Sequence, residues 1–149
     1  MEISNQKRSK NIKRTFNLTG IVIVLVGLIF LWLKQDTAVL ITAGVFAVYV
    51  GIAQFANLCN VYFSTENGKV LIRYYPVISI LKKNYESIEF AQSALVNFQI
   101  EKAMGFADLT IAIRTKRGIA EYPSISLAAM SKAEISQISL ALSEIRRNK

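Results

Sequence analysis

The chain has 149 residues, of which 52% are hydrophobic and 19% charged, with a formal net charge of +8. It contains no histidine, which removes the usual general base and the commonest metal ligand. Its single cysteine, Cys59, leaves no intramolecular disulfide and no thiolate cluster for zinc or iron.

Residues 1–15 read as a polar, basic tail without apolar period, expected to be disordered or loosely held on a membrane surface. Lys7, Arg8, Lys10, Lys13 and Arg14 stand there against one acid, Glu2. Residues 16–57 then hold two uncharged apolar blocks, 16–33 and 37–56, parted by Lys34-Gln35-Asp36. A helix needs about 20 mostly apolar residues to cross a hydrocarbon core. So short a link forces two such blocks to fold back on each other, which predicts an antiparallel transmembrane hairpin. Two helices buried in a soluble bundle are the alternative, but such helices keep a polar face and neither block has one. A cleaved signal peptide fits neither the length of the first block nor the second block that follows at once.

The five cations before the first span face a link of zero net charge. That asymmetry places the N-terminus in the cytoplasm, and two crossings return the chain to the same side of the cell (inner) membrane. Asp36 and Thr37 sit where an N-cap of the second span belongs. Gly20 and Gly27 lie on one face of the first span, and Ala43, Ala47 and Gly51 recur every fourth position in the second. Small residues let helices approach closely where lipid gives no hydrophobic drive. Their expected use is to pack the hairpin on itself, with homodimerisation as the second use. No ionisable residue lies inside either block, so no ion path is visible. Cys59, just past the second block, reads as buried packing.

From residue 58 the period changes to two. Residues 58–64 and 69–75 flank Asn67-Gly68, the strongest short signal of a β-hairpin. In the second arm Val70, Ile72 and Tyr74 face one way, and Leu71, Arg73 and Tyr75 the other. Pro76 ends it. A third strand is expected over 77–83, closing on Lys82-Lys83, and a short strand or turn over 85–90 with Ile88 and Phe90 inward. In 95–102, Val96, Phe98 and Ile100 should be buried. The loop 103–106 carries apolar tips. Leu109, Ile111 and Ile113 mark another strand, Lys116-Arg117-Gly118 a turn, and 119–124 the last strand. Short strands at about 8–12-residue spacing predict a sandwich or barrel. Ser131-Lys132-Ala133-Glu134 is a capping box. Ile135, Ile138, Leu142 and Ile145 then form one apolar helical stripe, with Arg146 and Arg147 in the last turn.

That order resembles the pleckstrin-homology-like (PH-like) fold. A membrane hairpin feeding such a domain looks like the small membrane-anchored bacterial PH-domain proteins. The resemblance covers about residues 58–147 and the hairpin ahead of them. It rests on the Glu66-Asn67-Gly68-Lys69-Val70-Leu71-Ile72-Arg73-Tyr74-Tyr75 hairpin, the Lys82-Lys83-Asn84-Tyr85-Glu86-Ser87-Ile88 segment and the closing helix. It implies a partly open barrel or sandwich of six or seven antiparallel strands capped by one C-terminal helix, over residues 58–149. Phosphoinositide-binding members carry a Lys followed by Arg-x-Arg in their first hairpin. Here Lys69 and Arg73 are present, and Tyr75 stands where the second Arg would be.

No residue set carries catalysis: there is no Ser-His or Cys-His pair, no phosphate-cradling glycine loop and no acid cluster, so the chain is expected not to be an enzyme and to need no cofactor. Nucleic acid is not expected as a partner, since no basic-aromatic motif accompanies the charge. Two functions stay open. One is a membrane-anchored binding or scaffold module that engages a protein partner or itself. The other is recognition of anionic lipid by Lys82, Lys83, Lys116 and Arg117, against the plainer account that these cations serve solubility and topology. An accessory subunit of a transport or secretion complex, docking through the Gly/Ala faces, is a further option.

Overall fold

The structure is a computed structural model, and it describes residues 1–78, 85–103 and 106–148. The first departure from expectation comes at the start. Residues 1–15 are not a loose tail. Glu2–Ser4 forms strand β1, and helix α1 begins at Gln6 and runs unbroken to Trp32. Helix α2 spans Asp36–Phe55. Both helices are long and apolar enough to cross a membrane, and nothing in their apolar windows is buried within the chain. Trp32 is 84% exposed and Phe55 92%.

The link between the helices is a Schellman turn. Lys34 takes a left-handed conformation (φ 55°), its N–H donates to the Leu31 carbonyl at 3.1 Å, and Gln35 N–H donates to Phe30 at 3.0 Å. The N-cap of α2 is therefore Gln35 and not the expected Asp36 or Thr37; Asp36 is the first helical residue, where its charge suits the helix dipole. The helices close on each other where Gly27 leaves room for Thr42: a Cβ on Gly27 would stand 3.4 Å from Thr42 Cγ2. Further down, the Phe16 and Tyr49 rings stack with centroids 4.8 Å apart, and Tyr49 Oη donates to the Phe16 carbonyl at 3.0 Å.

Strands β2 (Cys59–Glu66), β3 (Lys69–Pro76) and β4 (Glu86–Ala91) follow as an antiparallel meander, and β1 adds to the free edge of β2, giving a sheet of order β1-β2-β3-β4. Asn67 (φ 52°) and Gly68 (φ 71°) supply the two positive φ values that a tight hairpin turn demands. Alternation in β3 is as read: Val70 and Ile72 are buried and Arg73 exposed. Of the strand expected over 77–83, only Val77 and Ile78 are described, and they form a bend in which Val77 N–H donates to the Leu58 carbonyl at 2.7 Å; the remainder, with Lys82 and Lys83, lies outside the described residues, as do Met104 and Gly105 of the apolar loop.

A 3-10 turn at Gln92–Ala94 leads to the second sheet, β5 (Leu95–Ala103), β6 (Phe106–Thr115) and β7 (Gly118–Glu121) in that order, with β8 (Ile125–Ser126) pairing back to β6. The strand expected over 119–124 thus stops at Glu121, and β8 follows as a separate short strand. Pro123, which has no N–H for a ladder, stands at the break. A register shift between Leu95 and Asn97 takes Val96 out of the alternation. Leu95 is consequently fully buried, and Val96, Phe98 and Ile100 only partly.

Helix α3 (Lys132–Arg147) starts at the predicted capping box: Glu134 N–H donates to Ser131 Oγ at 3.2 Å, and Ser131 N–H donates to the Glu134 carboxylate at 2.6 Å. Ile138, Ala141 and Leu142 are buried, with Ile135 and Ile145 half-buried beside them. The core joins these to Phe63 and Ile72 from the first sheet and to Leu109 and Ile111 from the second. Arg146 lies 5.7 Å from the Phe98 ring centre and donates to Asn97 Oδ1 at 3.2 Å, which fixes the end of α3 over β5.

Candidate functional site

Four elements meet where the first sheet adjoins the helical hairpin. Asn5, 1% exposed, sits between β1 and α1. Its Nδ2 donates to the Cys59 carbonyl at 3.0 Å, and its Oδ1 accepts from Val61 N–H at 2.8 Å. The side chain thus ties the foot of α1 to the first residues of β2. Asn5, Ser9, Ile12 and Phe16 fall on one helical face, with Asn5 and Ser9 buried and Ile12 and Phe16 half-buried. Among the described residues the Ser9 hydroxyl has no hydrogen-bond partner.

Beside this joint a groove of about 420 Å³ opens on the solvent face of the first sheet. Ser4 and Gln6 form one side, Tyr62, Arg73 and Tyr75 the floor, and Tyr85 and Ser87 the other side. Strand periodicity puts these groups together: Tyr62, Arg73, Tyr75 and Ser87 all stand on the face opposite the buried Val61, Ile72 and Ile88. The Tyr75 and Tyr85 rings lie 4.9 Å apart at 49°. Tyr62 donates to the Glu2 carboxylate, and Tyr74 to that of Glu86. Partial burial, then the Glu86 hydrogen bond, hold the Tyr74 phenol well above its ordinary range, and the Glu2 bond raises Tyr62. Both phenols are neutral donors at neutral pH. Arg73 is exposed and makes no ion pair among the described residues, though its field helps lower Glu89 after the larger effect of Lys69, 2.8 Å from that carboxylate.

Cys59 is buried as expected; burial, with Asp108 and Glu86 nearby, pushes its thiol up to about 11. That is the opposite of the lowered value a reactive thiol needs. No group of three or more His, Cys, Asp or Glu that could hold a metal exists among the described residues.

The sequence-derived lipid contacts are not gathered into a site. Lys116 and Arg117 form the exposed tip between β6 and β7, where Arg117 N–H donates to Thr115 Oγ1, and Lys82 and Lys83 lie outside the described residues. Lys7, Arg8, Lys10, Lys13 and Arg14 are exposed along the first turns of α1. The small residues divide. Gly20 and Gly27 face α2, next to Phe46 and Thr42. Ala43 and Ala47 are exposed and Gly51 has open space around it, so this second set does not pack the hairpin on itself. The tyrosine groove was not singled out by sequence. Its signal was present as Tyr62 and Tyr75 at outward positions of neighbouring strands and Tyr85 just before β4, where a solvated sheet face ordinarily carries short polar groups. No family model matches the chain, and neither a curated protein nor a solved structure matches it.

Proposed function

We propose that this chain is a two-pass protein of the cell (inner) membrane that presents a PH-like binding domain on the cytoplasmic side and catalyses nothing. The two uncovered apolar helices support insertion, because each large apolar side chain left in water forgoes about 1.5–3 kcal/mol. The basic foot of α1 supports a cytoplasmic N-terminus. Two four-stranded antiparallel sheets followed by a C-terminal helix packed on their shared core support the PH-like reading.

The observation that carries the binding role is the groove of Tyr62, Tyr75 and Tyr85 around Arg73. Tyr and Arg are the residues enriched at the energetic centres of protein interfaces, and tyrosine contributes large area at little conformational cost. The occupant in this reading is a protein segment. A photo-crosslinking residue at Tyr75 in the full-length membrane protein should give a discrete protein adduct that Arg73→Ala or Tyr85→Ala abolishes. Labelling no more discrete than that from position Lys132 would reject the proposal. A second reading, an accessory subunit of a membrane complex, is favoured by Ala43, Ala47 and Gly51, which leave one face of α2 open to a further helix.

A further inference from the structure

Helix α1 carries no acidic residue from Gln6 to Trp32, yet it changes character abruptly along its length. One hollow on its surface is edged by Lys10, Lys13, Arg14 and Asn17. A second, of about 470 Å³, lies between the two helices and is walled by Val24, Phe46 and Tyr49. The two hollows share Asn17 and Ile21, so they adjoin along α1 as a track with a cationic foot and an apolar upper part. The apolar part exists because of Gly20: a Cβ there would already stand 3.8 Å from the Phe46 ring, and a longer side chain would fill the space.

We infer that this track binds one anionic phospholipid of the leaflet nearest the domain. Its phosphate rests on Lys10, Lys13 and Arg14, and one acyl chain lies in the interhelical hollow. The inference rests on the two-pass reading above. Lengths agree: the eleven steps from Lys13 to Val24 rise about 16 Å, close to one leaflet of a hydrocarbon core about 30 Å thick. Charge agrees as well, since three cations without a neighbouring acid attract an anionic head group and discriminate against a zwitterionic one. Topology alone accounts for the cations but not for an apolar hollow that continues from them. A third helix would fill the hollow without using the cations.

The test uses the full-length protein, stripped of lipid in neutral detergent and titrated with phosphatidylglycerol or phosphatidylcholine, with adducts read by native mass spectrometry. Phosphatidylglycerol should bind about tenfold or more tightly than phosphatidylcholine. The triple variant Lys10→Gln, Lys13→Gln, Arg14→Gln changes exposed residues only and should erase that preference. Lys116→Gln, Arg117→Gln, Lys132→Gln removes equal charge from the domain and should keep it. Gly20→Leu should weaken both lipids; Val24→Trp, at an exposed position, should do the same if Gly20→Leu disturbs the hairpin. Equal binding of the two lipids, a preference that survives the α1 triple variant, or one lost with the domain triple variant would each overturn the inference. Release of the chain from membranes by alkaline carbonate would instead overturn the two-pass reading, so the two failures are told apart.

Discussion

Asn5 and Val61 are bonded to each other in both directions across the whole helical hairpin. Asn5 N–H donates to the Val61 carbonyl at 3.3 Å, and Val61 N–H donates to Asn5 Oδ1 at 2.8 Å. Together with the bond to Cys59, this makes Asn5 the rivet between stem and sheet. Asn5→Ala strands two buried backbone groups, each worth about 1–3 kcal/mol. The variant should be destabilised by about 2–4 kcal/mol, read as a loss of thermal stability and faster proteolysis at residues 1–15. Asn5→Asp keeps the acceptor for Val61 but sets a buried carboxylate oxygen against the Cys59 carbonyl, and should cost at least as much as Asn5→Ala.

Ser9 predicts the opposite sign. The residue is 3% exposed, and its buried hydroxyl is unpartnered among the described residues. Ser9→Ala deletes an unsatisfied polar group and raises helix propensity, so a gain of about 1 kcal/mol is expected by the same thermal assay.

The turn between the helices holds a lysine where glycine is ordinarily favoured. Lys34, at φ 55°, bears the steric cost of the left-handed region. Lys34→Gly relieves it and should stabilise the hairpin by about 1 kcal/mol, whereas Lys34→Val should cost more than that. Denaturant titration of the detergent-solubilised protein, followed by tryptophan fluorescence at Trp32, reads both.

Helix contact in the hairpin depends on two positions at different heights. Gly27→Leu must push Thr42 away and should cost about 1–3 kcal/mol. Tyr49→Phe keeps the stacking on Phe16 and loses only the hydroxyl bond to its carbonyl, so a loss of about 0.6 kcal/mol is expected. Both are read in the same titration.

Cys59 sets an alkaline limit. Its thiol is raised from an ordinary 9.0 to about 11 by burial. A group whose folded value is raised contributes stability that is intact below about pH 9 and is lost as pH climbs through 11. At pH 8 a thiol reagent should label folded Cys59 at least about tenfold more slowly than the denatured chain. Cys59→Ala should abolish the part of the alkaline stability loss that comes from this thiol.

Local signals were legible wherever they were complete within a few residues. Asn67-Gly68 specified a turn, Ser131 and Glu134 a helix start, and Ile138 and Leu142 a buried stripe, and each stands in the structure. What escaped was the pairing of distant segments. Strand β1 has one inward residue, Ile3, too little for a period of two to register; it is a strand only because Ile3 faces Phe63, sixty residues on. Helix α1 begins among polar residues because the joint with β2, and not an apolar stripe, fixes its first turns. The groove escaped for a related reason. Tyr62, Tyr75 and Tyr85 come from separate segments, and only the sheet register makes them neighbours.

The strand that begins this chain and the strand it pairs with are translated on opposite flanks of both helices. Should one helix fail to insert, the two strands would be stranded on different sides of the bilayer and the sheet could not close. Its edge would then be left unpaired, a surface prone to aggregation and open to proteases. On the two-pass reading, closing of the sheet would therefore act as an inspection step during biogenesis, since a chain that crossed once would hold β1 and β2 apart.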